Sequence, residues 1–94
     1  MNKLNKTVTI YSSPSCPNCN SMKDFFKANN IEYIEKDTTK DFKAKAKLIS
    51  LGFKTLPIIE LVLDDVFERI AVDSNNITLA QSDILQFIKG TKND

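Results

Sequence analysis

Thr7-Val8-Thr9-Ile10-Tyr11-Ser12-Ser13-Pro14-Ser15-Cys16-Pro17-Asn18-Cys19 decides how this chain folds. Its first five residues are β-branched or aromatic, the composition of a buried strand, and Ser12-Ser13-Pro14-Ser15 ends that strand in a loop. A helix follows at once. Ser15 or Cys16 can cap it, and Pro17 fits the first helical position, where its missing N–H costs nothing. Met22, Phe25 and Phe26 then mark an apolar face at helical spacing. Asn29-Asn30 closes the helix, because Asn tolerates the left-handed conformation at a helix C-terminus.

Ile31 to Lys36 sets Ile31 and Tyr33 against Glu32 and Glu35 and predicts a second strand, hence a βαβ unit. Asp37-Thr38-Thr39 is expected to turn the chain and cap a second helix. The apolar face of that helix is expected at Phe42, Ala46, Ile49 and Phe53, which recur at i, i+4, i+7 and i+11, with Gly52 as the stop. Pro57 opens the strand Ile58 to Leu63, Asp64-Asp65 turns, and Val66 to Val72 returns as an antiparallel partner. The polar loop Asp73-Ser74-Asn75-Asn76 leads into a last helix that carries Ile77, Ala80, Ile84 and Ile88 on one face and ends at Gly90. The order β-α-β-α-β-β-α predicts an α/β fold: a mixed four-stranded sheet flanked by three helices, its first strand pair joined by a right-handed crossover.

A chain of 94 residues buries only about 60–65% of its unfolded surface and is expected to form one domain over residues 1–94. Hydrophobic residues are 41% of it and charged residues 27%, so a packed core is expected rather than disorder. Thirteen Lys plus Arg against twelve Asp plus Glu, interleaved along the chain, leave a net charge of +1. That balance argues against a nucleic-acid partner. The densest basic stretch, Lys40, Lys43, Lys45 and Lys47, is interrupted by Asp41 and reads as a solvated helix face. Met1 to Lys6 lacks the pattern of an export signal, and no apolar run approaches the roughly 20 residues of a membrane span. A cytoplasmic monomer without membrane attachment is the expectation.

Two cysteines in a reducing compartment are more often catalytic or metal-binding than structural. Here Cys16-x-x-Cys19 follows a strand and heads a helix, where the first backbone N–H groups lack intrahelical acceptors. A thiolate at Cys16 can accept from the amides of Asn18 and Cys19 while the helix dipole favours its charge, lowering its pKa from about 8.5. Cys19, nearly one turn on and turned inward beside Met22, is expected to be less exposed and more basic. Cys16 is therefore the expected nucleophile, and Cys19 the thiol that resolves the mixed disulfide. Pro17 stiffens the turn between them. A four-residue ring removes little loop entropy, which argues against a purely structural disulfide. The chain has no His and no further Cys, so no metal site is expected from it alone, and an iron–sulfur cluster would have to be shared between two chains. The absence of His also removes every His-dependent hydrolase mechanism.

Ile10-Tyr11, Pro14-x-Cys16-Pro17-x-Cys19 and Gly52-x-Lys54-Thr55-Leu56-Pro57 together resemble a glutaredoxin, with its Cys-Pro-Tyr-Cys and Thr-Val-Pro segments, over essentially the whole chain. The resemblance implies a thioredoxin-like fold and a cis Leu56-Pro57 bond facing the cysteines, where the residues alone would be read as trans. It also implies substrate binding by Pro17, Lys54, Thr55, Leu56 and Pro57. The departures concern glutathione. Asn18 stands for the usual Tyr, and Ser13 stands where a Lys is frequent. The glutaredoxin Gly-Gly-x-Asp-Asp segment is matched loosely by Leu79-Ala80-Gln81-Ser82-Asp83, with Ser82 and Asp83 offering N–H groups near a helix start; an alternative alignment puts Asn75-Asn76 there. The implied activity is thiol–disulfide oxidoreduction on protein disulfides or glutathione mixed disulfides, with no bound cofactor and glutathione as reductant. The nearest alternative is an NrdH-type redoxin, reduced by thioredoxin reductase and serving ribonucleotide reductase. An iron–sulfur binding module is the alternative of another class.

Overall fold

A computed structural model describes residues 6–90. Strand β1 (Lys6–Ser12) leads into α1 (Pro17–Ala28), β2 (Ile34–Asp37), α2 (Phe42–Ser50), β3 (Ile58–Leu63), β4 (Val66–Ala71) and α3 (Ile77–Gly90). The sheet runs β2-β1-β3-β4. β1 and β2 are parallel, while β3 is antiparallel to both β1 and β4. This is the expected mixed four-stranded α/β architecture.

Alternation along β1 sends successive side chains to opposite faces. Val8 and Ile10 join Met22 and Phe26 of α1, Ile59 and Leu61 of β3, and Ala80 and Ile84 of α3 in the main core. Tyr11 faces the other way, into a smaller cluster with Ile58, Ala44 and Leu48. The helices α1 and α3 thus cover one face of the sheet and α2 the other.

Three local expectations are corrected. β2 begins at Ile34 rather than Ile31. The Ile31 N–H is spent on the end of α1, bonding Phe26 O at 2.8 Å after Asn30 takes a φ of 57°. Ile31 and Tyr33 still reach the core, but from the connecting segment. Second, the cap of α2 is Asp41, whose Oδ1 accepts from the Ala44 N–H at 3.0 Å. Asp37 closes the preceding turn instead, accepting from the Thr39 N–H at 2.8 Å. Third, α2 docks by Ala44 and Leu48, not by Phe42, Ala46 and Ile49. Phe42 is 78% exposed and Ile49 64%. Both stripes have helical spacing; the small Ala44 lets the helix lie close to Tyr11 and Ile58. Gly52 at φ +87° ends this segment as expected, and Asp64 at φ 54° turns β3 into β4.

On the α2 side of the sheet sits a buried carboxylate, Glu60. Tyr11 OH donates to its Oε1 at 3.1 Å, Lys47 Nζ lies 3.0 Å from Oε2, and Arg69 Nε lies 3.1 Å from Oε2. Burial alone would raise the pKa of this carboxyl, but the hydrogen bonds from Lys47, Arg69 and Tyr11 outweigh it and hold it below the ordinary value. Folding therefore favours the ionised form. The stabilisation is complete above the unfolded-state pKa of about 4.3 and is lost as pH falls through the lower folded-state value. Urea-unfolding midpoints are expected to be level between about pH 7 and about pH 5 and to fall below about pH 4. Glu60→Gln should flatten part of that acid limb.

Candidate functional site

The register puts Tyr11 opposite Ile58, so the end of β1 lies beside the start of β3 and Ser12 beside Pro57. β2 ends at the same edge: Thr38 donates to Ser12 O through its N–H at 2.9 Å and its Oγ1 at 3.1 Å. β4 ends there too, with Val72 N–H bonding Pro57 O at 3.0 Å. One end of the sheet therefore gathers three other chain turns around the Cys16 loop.

Cys16 caps α1 in an extended conformation, φ −98° and ψ 108°, with Pro17 following in the first turn. Its N–H bonds Ser13 O at 3.2 Å, which fixes the loop. Its Sγ accepts from the Cys19 N–H at 3.1 Å, the contact expected of a helix terminus. Cys16 and Cys19 are joined as a disulfide, their Cα atoms 5.2 Å apart. Cys16 and Asn18 are partly exposed and Pro17 is exposed, while Cys19 is fully buried. An incoming sulfur can thus approach Cys16 and not Cys19.

Leu56-Pro57 is cis, as the resemblance implied. Pro57 is fully buried at the head of β3. Lys54 and Thr55 are exposed, and Leu56 is partly exposed. Ser82 and Asp83 are placed differently from expectation. α3 starts at Ile77, and Ala80 N–H already bonds Asn76 O at 2.8 Å. Ser82 and Asp83 therefore lie in the second turn, where backbone N–H groups are committed to the helix, and they are not at its start.

What stands at that start is the Asp73–Asn76 turn. Asp73 Oδ1 accepts from the Asn75 and Asn76 N–H groups at 2.9 and 3.0 Å, and Asn76 Oδ1 accepts from Asp73 N–H at 2.8 Å. Asn18 Nδ2 donates to Ser74 Oγ at 3.3 Å and ties this turn to the cysteine loop. Sequence reasoning missed that tie, since 56 residues separate the partners. It also missed Lys23, one turn beyond Cys19. Lys23 Nζ lies 2.8 Å from Glu35 Oε2, which accepts from the buried Ser12 hydroxyl at 2.7 Å. Hydrogen bonds from Lys23, then from Ser12, hold the Glu35 carboxyl below its usual range.

Among the described residues, no three His, Cys, Asp or Glu side chains converge as a metal site, and no helix is long and apolar enough to cross a membrane.

The glutaredoxin family profile matches residues 8–68. The chain belongs to the glutaredoxin family. A glutaredoxin-like 8.6 kDa protein of the rubredoxin operon of Clostridium pasteurianum is 31% identical over 55 residues, covering 57% of this chain and 73% of that one. Among solved structures, the thioredoxin-like protein BC3987 is 29% identical at a TM-score of 0.61, over 80% of this chain and 99% of its own. Glutaredoxin 1 from Francisella tularensis is 26% identical at a TM-score of 0.56, over 86% and 99%. The NrdH-redoxin of Escherichia coli, at 19% identity and a TM-score of 0.59 over 78% and 92%, shares the fold. This glutaredoxin-family chain is accordingly a thioredoxin-fold redox protein with a Cys-x-x-Cys pair.

Proposed function

We propose that this glutaredoxin-family protein reduces disulfides by a dithiol route in which Cys16 attacks and Cys19 resolves. The observation that carries this reading is the unequal placement of the pair, with Cys16 partly exposed at a helix cap and Cys19 fully buried behind it. The Cys16 thiolate attacks one sulfur of R–S–S–R′, forming Cys16–S–S–R and expelling R′–S⁻, which takes up a proton. The Cys19 thiolate then attacks Cys16 Sγ, breaks the mixed bond and releases R–S⁻, leaving the Cys16–Cys19 disulfide. Two electrons pass to the substrate. The exposed edge of Lys54, Thr55 and Leu56 before Pro57 is the proposed cradle for the substrate backbone, with Pro17 flanking the sulfur.

Returning the pair to dithiol takes two electrons, and two glutathione molecules supply them by forming one glutathione disulfide. The Asp73–Asn76 turn weakens that supply. Asn75 and Asn76, the alternative match to the glutathione-holding segment, already give their N–H groups to Asp73 Oδ1 just before the helix start. Leu79, set against a family glycine in one of the two alignments, presents a side chain 68% exposed. These observations favour slow reduction by glutathione and, as a second reading, reduction by thioredoxin reductase with a ribonucleotide reductase-type acceptor.

A coupled assay following NADPH consumption tests the donor, with glutathione plus glutathione reductase in one arm and thioredoxin reductase alone in the other. Turnover is expected in the glutathione arm, slower than for a glutaredoxin carrying the full Gly-Gly-x-Asp-Asp segment. Turnover with thioredoxin reductase alone would replace glutathione as the donor. Reduction of no disulfide in either arm, or by chemically reduced protein, would reject the oxidoreductase reading.

A further inference from the structure

Helix α2 carries two apolar stripes, and the fold buries one. Ala44 and Leu48 pack against the sheet, while Phe42 and Ile49 stand 78% and 64% exposed. Ile49 continues into a groove of about 310 Å³ that Phe53 and Leu56 also line, with Lys45 and Lys54 among its walls. The groove reaches Thr38, whose two hydrogen bonds to Ser12 O anchor it at the Cys16 end of the sheet, and Leu56, the residue before Pro57. An apolar strip that a small domain leaves in water marks a contact surface, and this one borders the end of the sheet that carries Cys16.

Charge selects the occupant. α2 holds no acidic residue. Lys47 is engaged with Glu60, but Lys45 and Lys54, which line the groove, have no carboxylate partner among the described residues. A second copy of this chain is disfavoured, because a two-fold contact would set these lysines against themselves. A small thiol held at Leu56 would leave Phe42, at the far end of α2, uncovered.

The geometry points to a docking groove for the disulfide-bearing partner protein, filled by an extended segment in which bulky apolar side chains are flanked by Asp or Glu. The apolar side chains enter between Ile49, Phe53 and Leu56, and the carboxylates meet Lys45 and Lys54. The segment reaches the groove beside the disulfide that Cys16 attacks. The identity of the partner rests on the oxidoreductase reading above; the groove and its chemistry do not.

The test separates the two. A fluorescein-labelled, cysteine-free peptide, Glu-Asp-Leu-Phe-Asp-Glu-Ser, is titrated with the wild-type chain, with Ile49→Glu and with Lys45→Glu, following anisotropy. Both substituted residues are exposed, and circular dichroism checks that each variant folds. Each variant is expected to weaken binding by about tenfold or more, as is replacing the acidic residues of the peptide by Lys. In parallel, the variants should lose turnover on a disulfide dimer of this peptide extended by one cysteine, relative to turnover on hydroxyethyl disulfide. Wild-type protein that binds the peptide but reduces neither disulfide would sink the oxidoreductase reading and leave the groove standing. Absence of wild-type binding, equal binding of the basic peptide, or a sedimenting dimer that Ile49→Glu dissociates would each overturn the proposal.

Discussion

Cys16→Ser is expected to bring disulfide reduction down to background with every substrate, whereas Cys19→Ser should accumulate a mixed disulfide and keep part of the turnover on glutathione mixed disulfides. The asymmetry follows from position. Cys16 is partly exposed and its Sγ accepts the Cys19 N–H at 3.1 Å, so it is the sulfur a substrate meets and the one whose negative charge the helix terminus favours. Without it no first covalent step exists. Cys19, fully buried, acts only after the first bond has formed. Removing it leaves that bond waiting for an external thiol, which glutathione can supply and a protein substrate cannot readily replace. Intact-mass measurement after mixing each variant with an oxidised protein substrate reads the outcome directly. Equal loss in both variants, with no adduct on Cys19→Ser, would contradict the assignment.

Phe26→Ala should cost about 3–5 kcal/mol of stability, the range for emptying a fully buried aromatic site. Phe26 is 0% exposed on α1, with its ring centroid 5.2 Å from that of Tyr33 and 5.8 Å from that of Phe25. It joins α1 to β1, β3 and α3 in the main core, so neighbouring elements can collapse into the space only by moving together. Against a total of about 5–15 kcal/mol for a domain of ordinary stability, the loss is large. The thermal midpoint should drop by on the order of 12 °C or more. Leu51→Ala, at an exposed position, serves as the control and should shift the midpoint little. A Phe26→Ala midpoint within a few degrees of the wild type would mean that α1 is not held as the core requires.

Some of this protein was legible before any coordinates. Strong local signals are short-range, and they survived: the Cys16 cap and Pro17 start of α1, the Asn30 and Gly52 positive-φ stops, the β3–β4 hairpin, and the face of α3 at Ala80 and Ile84. The cis bond at Leu56-Pro57 was reachable through the family resemblance and not through proline statistics.

Other features needed the third dimension. Two stripes on α2 satisfy the same helical period, so periodicity could not choose between Phe42/Ile49 and Ala44/Leu48; close approach of the helix to Tyr11 and Ile58 made the choice. A charged Glu60 in the central strand β3 is tolerated because Tyr11, Lys47 and Arg69 converge on it from β1, α2 and β4, a compensation that no local window contains. Helix α3 begins at Ile77, which moves Ser82 and Asp83 into its second turn and gives the helix start to Asp73–Asn76. The sequence by itself determined the order of elements and the redox pair, because strand propensity, capping and the Cys-x-x-Cys spacing act over a few residues. Only the tertiary structure decided which turns share the sheet edge with Cys16 and which apolar stripe stays in water, because those depend on strand register and on packing between elements far apart in the chain.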